Sequence, residues 1–252
     1  MNSTKIIAHR GASGYAPENT MAAFSKAIEM GAEGIELDVH LSRDRSLIVM
    51  HDEYVNRTSN GNGLIRDMTL RELKKLDCGS WYGEEFSGSQ IPTLEEVLEL
   101  LKNWDGILNI EIKDGSDFYP GIEKKVINTI RMFYFEEKVI FSSFNHYSIR
   151  DIKSNASYLK AGLLYGEKLY EPWNYARSVG AEALHPPFYL VDENLMNCCR
   201  TNNITVNTWT VNEECEMRKL VKFGVDGIIT NYPDIAVKVR NEMQNTDDKA
   251  LS

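Results

Sequence analysis

Short apolar runs alternate with longer amphipathic stretches along almost the whole chain. The runs have the length of buried strands, and the stretches between them place leucine, isoleucine or valine at helical spacing. Residues 93–102 are one such helix, where Thr93 followed by Glu96 predicts a capping box. The predicted strands begin at Ile6, Gly34, Ile107, Val139, Tyr158, Glu182, Ile204 and Gly227. Strict alternation of strands and helices is typical of a parallel sheet.

Eight strand–helix units in about 240 residues favour closure of this sheet into a barrel. The alternative is an open, doubly wound sheet, which would be expected to carry a glycine-rich phosphate loop after the first strand. Residues 9–14 read HRGASG instead of the G-x-G-x-x-G of such loops. The sequence therefore predicts an α/β protein with one (β/α)8 TIM-barrel domain spanning residues 1–252.

One segment, residues 52–92, interrupts the alternation. It is rich in glycine, serine, asparagine, aspartate and arginine, and contains a short helical piece at residues 70–76. The segment is too long for an ordinary loop between a strand and a helix. We expect a small subdomain that is inserted after the second strand and packs over one end of the barrel.

The composition excludes some classes of function. A formal net charge of −9 is unfavourable for a broad basic face that binds nucleic acid. No stretch approaches the roughly 18 apolar residues of a membrane span, and the few residues before the first strand do not resemble a signal peptide. These features predict a cytoplasmic protein without stable membrane insertion. They leave the oligomeric state open.

Acidic side chains gather where predicted strands end, which is where barrel enzymes place catalytic groups. Glu36 and Asp38 are two residues apart on one strand and therefore share a face, as do Glu111 and Lys113 on the next. Carboxylates inside a barrel are costly unless they are paired or bound to a metal. Salt bridges, such as Glu111 with Lys113 or Glu36 with Arg10, could account for any single pair. Three inward carboxylates favour one divalent cation with oxygen ligands, namely Mg²⁺ or Ca²⁺, with Mn²⁺ also suitable.

Two histidines, His9 and His51, also follow predicted strands beside these carboxylates. A histidine pair can supply the base and the acid that cleavage of a phosphodiester requires. The other three histidines are weaker candidates. His40 lies beyond the carboxylates, His146 is expected at a helix start, and His185 could line the pocket.

Positive and aromatic side chains at the same ends could bind the rest of a phosphodiester. Arg10 could hold two phosphate oxygens at once, and Lys113 could act as a point charge. Trp209 and Phe144 could form a wall for the alcohol or glycerol part, although aromatic residues there are as often plain packing.

At these residues the chain closely resembles the glycerophosphodiester phosphodiesterase family. The resemblance runs nearly end to end, in the family's order and spacing. The matching stretches are HRGASGYAPENT (9–20), GIELDVHLSRDRSLIVMHDE (34–53), LDCGSW (76–81), IPTLEEVL (91–98), NIEIK (109–113), NTWTVN (207–212) and DGIITNYP (226–233).

The resemblance implies a (β/α)8 barrel with a small inserted subdomain. It also implies a general acid and a general base at His9 and His51, a cation held by Glu36, Asp38 and Glu111, and phosphate contacts from Arg10 and Lys113. The implied reaction is hydrolysis of glycerophosphodiesters, such as glycerophosphocholine or glycerophosphoethanolamine, to sn-glycerol 3-phosphate and an alcohol. In this family the glycerol 2-hydroxyl can attack first and give a cyclic phosphate.

The chain departs from the family pattern at two positions. His40 stands where glutamine is frequent, and Asn231 stands where aspartate is common. Neither position is expected to carry the chemistry.

Three alternatives to this function are open from the sequence. A lysophospholipase D-like phosphodiesterase could use the same residues, but it should have an apolar approach to the barrel mouth, whereas the insertion is mostly polar. A non-catalytic barrel that binds glycerophosphodiesters would be expected to lack one of the histidines or metal ligands. A sugar-phosphate isomerase would be expected to carry a phosphate loop after the last strands.

Overall fold

Eight parallel strands close into a barrel, which confirms the fold predicted from the alternating pattern. The computed structural model describes residues 4–251, and only the backbone of residues 116, 117 and 246–251. A ninth strand, β3, runs antiparallel to β2. Pairing of the first strand with the second and the last completes the ring. The strands are β1 (Lys5–His9), β2 (Gly34–Leu41), β3 (Leu47–Val49), β4 (Ile107–Ile112), β5 (Val139–Ser143), β6 (Lys160–Leu164), β7 (Ala183–His185), β8 (Thr205–Thr208) and β9 (Gly227–Thr230).

Helices follow the barrel strands and cover the outside of the sheet. The helices, including the single-turn α2 of the inserted segment, are α1 (Met21–Glu29), α2 (Leu70–Leu73), α3 (Leu94–Leu101), α4 (Gly115–Phe118), α5 (Ile122–Met132), α6 (His146–Asn155), α7 (Pro172–Val179), α8 (Glu193–Thr201), α9 (Glu214–Phe223) and α10 (Pro233–Leu251). The predicted capping box is present at the start of α3, because Thr93 Oγ1 accepts from the Glu96 amide and the Glu96 side chain accepts from the Thr93 amide. In the described part of the chain, no helix is both long and apolar enough to cross a membrane.

Alternation along β2 separates the core from the barrel interior. Ile35, Leu37 and Val39 are fully buried in the main apolar cluster, which includes residues of the surrounding helices. The intervening residues Glu36 and Asp38 therefore point to the opposite side, into the barrel. The alternation that buries the apolar residues of β2 in the core therefore also places its acidic residues inside the barrel.

The segment 52–92 contains two short 3₁₀ turns (Ile65–Asp67 and Glu84–Phe86) and the single-turn helix α2, which ends earlier than the sequence predicted. Its apolar residues join β3 in a second, smaller cluster, made of Ile48, Met50, Val55, Ile65, Leu73, Cys78 and Ile91. The assignment of this segment as a subdomain stays a prediction.

At Gly11, directly after Arg10, the chain passes close to Ala23 of helix α1. Its φ of +80° is one that side-chain-bearing residues rarely adopt, and an added Cβ would lie 2.6 Å from the Ala23 carbonyl carbon. We expect Gly11→Ala to destabilise the protein by roughly 2–5 kcal/mol, the sum of the left-handed strain and the overpacking. Urea denaturation followed by circular dichroism measures this change.

Gly31→Ala is the matched control for this substitution. Gly31 has a similar φ of +76°, but an added Cβ would meet nothing within 4 Å. We expect it to cost only the backbone strain, roughly 1–2 kcal/mol. Equal destabilisation by the two substitutions would contradict the close approach to α1.

Candidate active site

A pocket opens at the carboxyl ends of the barrel strands and gathers the polar residues that the sequence singled out. Seven of the eight predicted site residues line it, and the eighth, Asp38, is buried beside them with 1% of its surface exposed. The lining residues are His9, Arg10, Glu36, His51, Asn109, Glu111, Lys113, Phe144, Leu164, Trp209, Thr210 and Ile229.

Strand register brings the three acidic residues together. Asp38 on β2 pairs with Glu111 on β4, and Glu36 on β2 pairs with His9 on β1. Glu36, Asp38 and Glu111 each offer a carboxylate oxygen within 4.8 Å of the others. The spacing of two along β2 and the parallel pairing with β4 therefore build one cluster from two strands.

The salt bridges expected as an alternative are also present in part. Lys113 Nζ lies 2.7 Å from Glu111 Oε1 and 3.3 Å from Asp38 Oδ1, and Arg10 Nε lies 3.6 Å from Asp38 Oδ2. Burial would raise the pKa of Asp38, but Lys113 and Arg10 outweigh it and hold this pKa below its usual range.

The two cations do not fully compensate the three carboxylates. Burial and the charge of Asp38 raise the pKa of Glu111 to about 7, and burial with both neighbouring carboxylates raises the pKa of Glu36 well above its usual value. Asp38 Oδ1 is buried and accepts no hydrogen bond. A buried all-oxygen cluster with excess negative charge and an unused acceptor fits a hard divalent cation.

His9, the last residue of β1, is held by a neutral partner. Its Nδ1–H donates to Asn231 Oδ1 over 2.7 Å, which leaves Nε2 free for the pocket that the ring lines. Burial, followed by the charge of Arg10, lowers the pKa of His9 to about 4. The ring is therefore neutral at pH 7.

His51 is held by an acidic partner. The antiparallel strand β3 runs back along β2, so the residues that follow it return to the mouth of the barrel. There, His51 Nδ1–H donates to Asp52 Oδ1 over 2.6 Å. Burial lowers the pKa of His51, with further lowering by Lys113 and Arg10, whereas Asp38 and Asp52 oppose the shift. Both histidines thus present Nε2 to the pocket, one backed by an amide and the other by a carboxylate.

Aromatic side chains form one wall of the pocket. Trp209 is fixed by a hydrogen bond of 2.7 Å from its Nε1 to the His185 carbonyl oxygen. Phe144 meets the Trp209 ring edge to face, with centroids 5.7 Å apart, and half of its surface is exposed. Together with Leu164, these rings give the site an apolar side across from its charged groups.

The structure places the two departures from the family pattern closer to the site than the sequence suggested. Asn231 orients the His9 ring. His40 is buried, accepts from the Tyr119 hydroxyl at Nδ1 and donates from Nε2 to the His51 carbonyl oxygen over 3.1 Å. Both residues therefore support a histidine of the pocket.

Sequence reasoning missed several further supports because their partners are distant in the chain. Asn19 donates to Asp38 Oδ2 over 2.8 Å, and Glu18 accepts from Arg10 over 2.8 Å. Asp52, which accepts from His51, could have been suspected from its position next to that residue. Arg57, which donates to both Glu18 and Asp52, has no local sequence feature that points to this contact.

Of the weaker histidine candidates, His185 does not line the pocket. It is fully buried inside the barrel, where its Nε2 accepts from Asn207 and its Nδ1 has no partner. His146 begins α6, as expected, and donates to the Leu164 carbonyl oxygen.

His185 should make the stability of the protein depend on pH. Burial lowers the pKa of His185 from 6.5 to about 3. As the pH falls below 6.5, the unfolded state therefore binds a proton at this ring and the folded state does not. Stability from the neutral ring is therefore complete above pH 6.5 and is lost toward pH 3. Between pH 7 and 5 we expect wild type to lose about 2 kcal/mol relative to His185→Gln.

The measurement is urea denaturation of wild type and His185→Gln at several pH values. The difference between the two proteins isolates this ring from the carboxylates that titrate in the same range. A difference that stays constant from pH 7 to 5 would show that the ring is not held neutral.

Known proteins resemble this chain over most of its length. Residues 9–235 match the model of the glycerophosphoryl diester phosphodiesterase family. A glycerophosphodiester phosphodiesterase of Caldanaerobacter subterraneus subsp. tengcongensis is 51% identical, over 94% of this chain and 97% of the relative. One of Bacillus altitudinis is 41% identical, over 96% of this chain and the whole relative.

Solved structures show the same architecture. An Oleispira antarctica phosphodiesterase, in complex with the product sn-glycerol-3-phosphate, superposes with a TM-score of 0.90 at 30% identity, covering 95% of this chain and 97% of that one. A glycerophosphodiester phosphodiesterase of Thermotoga maritima gives a TM-score of 0.77 at 30% identity, over 95% and 99% of the two chains. The match to the family model and the near full-length identity to these relatives show that the chain belongs to the glycerophosphoryl diester phosphodiesterase family.

Proposed function

We propose that this enzyme hydrolyses small glycerophosphodiesters, such as glycerophosphocholine or glycerophosphoethanolamine, to sn-glycerol 3-phosphate and an alcohol, and that it requires a divalent cation. The observation that carries the proposal is the pairing of two Nδ1-anchored histidines with a buried carboxylate cluster in one pocket. The sn-glycerol-3-phosphate bound to the Oleispira phosphodiesterase supports the choice of product.

Arg10 and Lys113 would bind the phosphate. Both residues line the pocket. Burial would lower the pKa of Lys113, but the negative charges of Asp38 and Glu111 outweigh it and raise this pKa, so Lys113 stays charged. A guanidinium can contact two phosphate oxygens, and an ammonium adds a second positive charge. Trp209, with Phe144 beside it, would pack against the carbon part of the substrate.

Glu36, Asp38 and Glu111 would hold one cation, which can be Mg²⁺, Ca²⁺ or Mn²⁺. When bound, such an ion supplies charge to polarise the phosphoryl group and orient it. With an ion bound the three carboxylates would be ionised, because its charge would offset the burial and the mutual repulsion that raise the pKa of Glu36 and Glu111.

His9 and His51 would move the protons. One Nε2 would take the proton of the attacking hydroxyl, and the other ring, protonated at Nε2 as well as at Nδ1, would give its Nε2 proton to the leaving alkoxide. Asn231 and Asp52 fix the two rings through Nδ1, so that each Nε2 keeps its orientation during the transfer. This arrangement supports hydrolysis over mere binding, because a binding site has no use for two oriented proton carriers.

A substrate comparison tests this proposal. Release of sn-glycerol 3-phosphate is measured from glycerophosphocholine and glycerophosphoethanolamine, and release of choline is measured from lysophosphatidylcholine. We expect turnover of the water-soluble diesters to exceed that of the lysolipid. Faster turnover of the lysolipid would instead identify a lysophospholipase D-like enzyme, and binding without any release would identify a non-catalytic barrel.

A further inference from the structure

Arg57, in the inserted segment, links two carboxylates through four hydrogen bonds. Its Nε and Nη2 donate to the two oxygens of Asp52 over 2.7 and 3.0 Å. Its Nη1 and Nη2 donate to the two oxygens of Glu18 over 2.9 and 2.8 Å. The guanidinium thus forms a two-point contact on each side.

Each of the two carboxylates continues to a residue of the pocket. Glu18 Oε1 accepts from Arg10 Nη1 over 2.8 Å, and Asp52 Oδ1 accepts from His51 Nδ1 over 2.6 Å. An unbroken chain of charged hydrogen bonds therefore runs from Arg10 to His51, with Arg57 at its centre.

We infer that Arg57 is a positioning residue for the phosphodiesterase reaction, which fixes the phosphate-binding Arg10 through Glu18 and the proton-carrying His51 through Asp52. The inference rests on the function proposed above. Arg57 itself does not line the pocket.

The low exposure of the two carboxylates and their shared partner favour a role in the active site over that of a simple surface ion pair. Glu18 and Asp52 have side-chain exposures of 15% and 30%, and Arg57 is their common partner. Exposed ion pairs contribute little to stability. By contrast, a planar guanidinium that satisfies two carboxylates at once fixes the distance and angle between them. The relative placement of phosphate contact and proton carrier is a geometry on which turnover depends steeply.

Arg43 offers a matched control, because it also ties the barrel to the inserted segment. It donates to the Asp67 carbonyl oxygen over 3.0 Å and pairs with Glu72 over 3.1 Å, with 56% of its side chain exposed. Its partners do not contact Arg10 or His51. If Arg57 only anchors the insertion, loss of either arginine should have the same effect.

The experiment compares wild type, Arg57→Ala, Arg57→Lys and Arg43→Ala by kcat and KM for glycerophosphocholine and by thermal denaturation. We expect Arg57→Ala to lower kcat/KM by roughly 10- to 100-fold, the usual cost of removing a supporting partner. Arg57→Lys should recover little of this loss, since an ammonium cannot form two two-point contacts. Methylguanidinium should restore part of the activity of Arg57→Ala, whereas Arg43→Ala should stay near wild type at a similar melting temperature.

Wild-type kinetic constants in Arg57→Ala would overturn the inference, as would full activity in Arg57→Lys or equal losses in Arg43→Ala. Wild type without turnover would count against the proposed function. The chain of hydrogen bonds can be tested independently by proton NMR of His51, whose Nδ1–H should be protected and shifted downfield in wild type and Arg43→Ala. An unchanged resonance in Arg57→Ala would contradict the positioning of His51 whether or not the enzyme turns over.

Discussion

Replacing either His9 or His51 by alanine is expected to lower kcat by roughly 100- to 10,000-fold, which is the typical contribution of general acid–base catalysis. Each ring has its Nδ1 anchored and its Nε2 available, so removing either ring takes away one of the two oriented proton carriers of the pocket. Losing both rings should cost little more than losing one, because base and acid serve a single reaction.

The measurement is kcat at saturating glycerophosphocholine for the two single variants and the double variant. Circular dichroism and thermal denaturation establish that each variant is folded. His146→Ala serves as the control, because His146 is a histidine at the start of α6 that does not line the pocket. Activity near that of wild type in either single variant would remove the corresponding residue from the mechanism.

Replacing Glu111 by glutamine is expected to weaken binding of the divalent cation by at least about 10- to 100-fold, since loss of even a supporting partner has an effect of that size. Glutamine keeps the shape of the side chain and removes its charge. Excess Mg²⁺ or Ca²⁺ should therefore restore part of the turnover. The same change removes a repulsive carboxylate, whose burial beside Asp38 raises its pKa to about 7. The cation-free variant should accordingly be at least as stable as wild type.

Two readouts measure this effect. The first is turnover as a function of metal concentration, and the second is the rise in melting temperature that the metal produces in the absence of substrate. Glu99→Gln, on the exposed face of α3, is the control. A metal dependence in Glu111→Gln identical to that of wild type would exclude Glu111 as a ligand.

The sequence predicted those features that depend on local periodicity. The starts of the eight barrel strands lie within two residues of their predicted positions, because each strand is a short apolar run bounded by polar turns. The capping box at Thr93 was also predicted, since the residues that form it are three apart. Likewise, the shared face of Glu36 and Asp38 follows from the two-residue repeat of a strand.

Features that depend on contacts between distant residues could not be predicted in this way. Residues 47–50 read as a short apolar run, and only tertiary pairing shows that β3 turns back along β2 and returns His51 to the mouth. The partner of His9 is Asn231, which is 222 residues away. The contacts of Arg57 could not be predicted for the same reason, because its partners Glu18 and Asp52 become neighbours only when the insertion packs beside the first loop of the barrel.

Turnover of glycerophosphocholine before and after removal of metal tests whether the enzyme hydrolyses this diester with a divalent cation. The wild-type protein is treated with EDTA, separated from the chelator, and assayed for sn-glycerol 3-phosphate with and without added Mg²⁺ or Ca²⁺. We expect release that EDTA abolishes and that one of these cations restores. Undiminished release from the metal-free protein would contradict the role of the carboxylate cluster, and no release under any metal would contradict the proposed reaction.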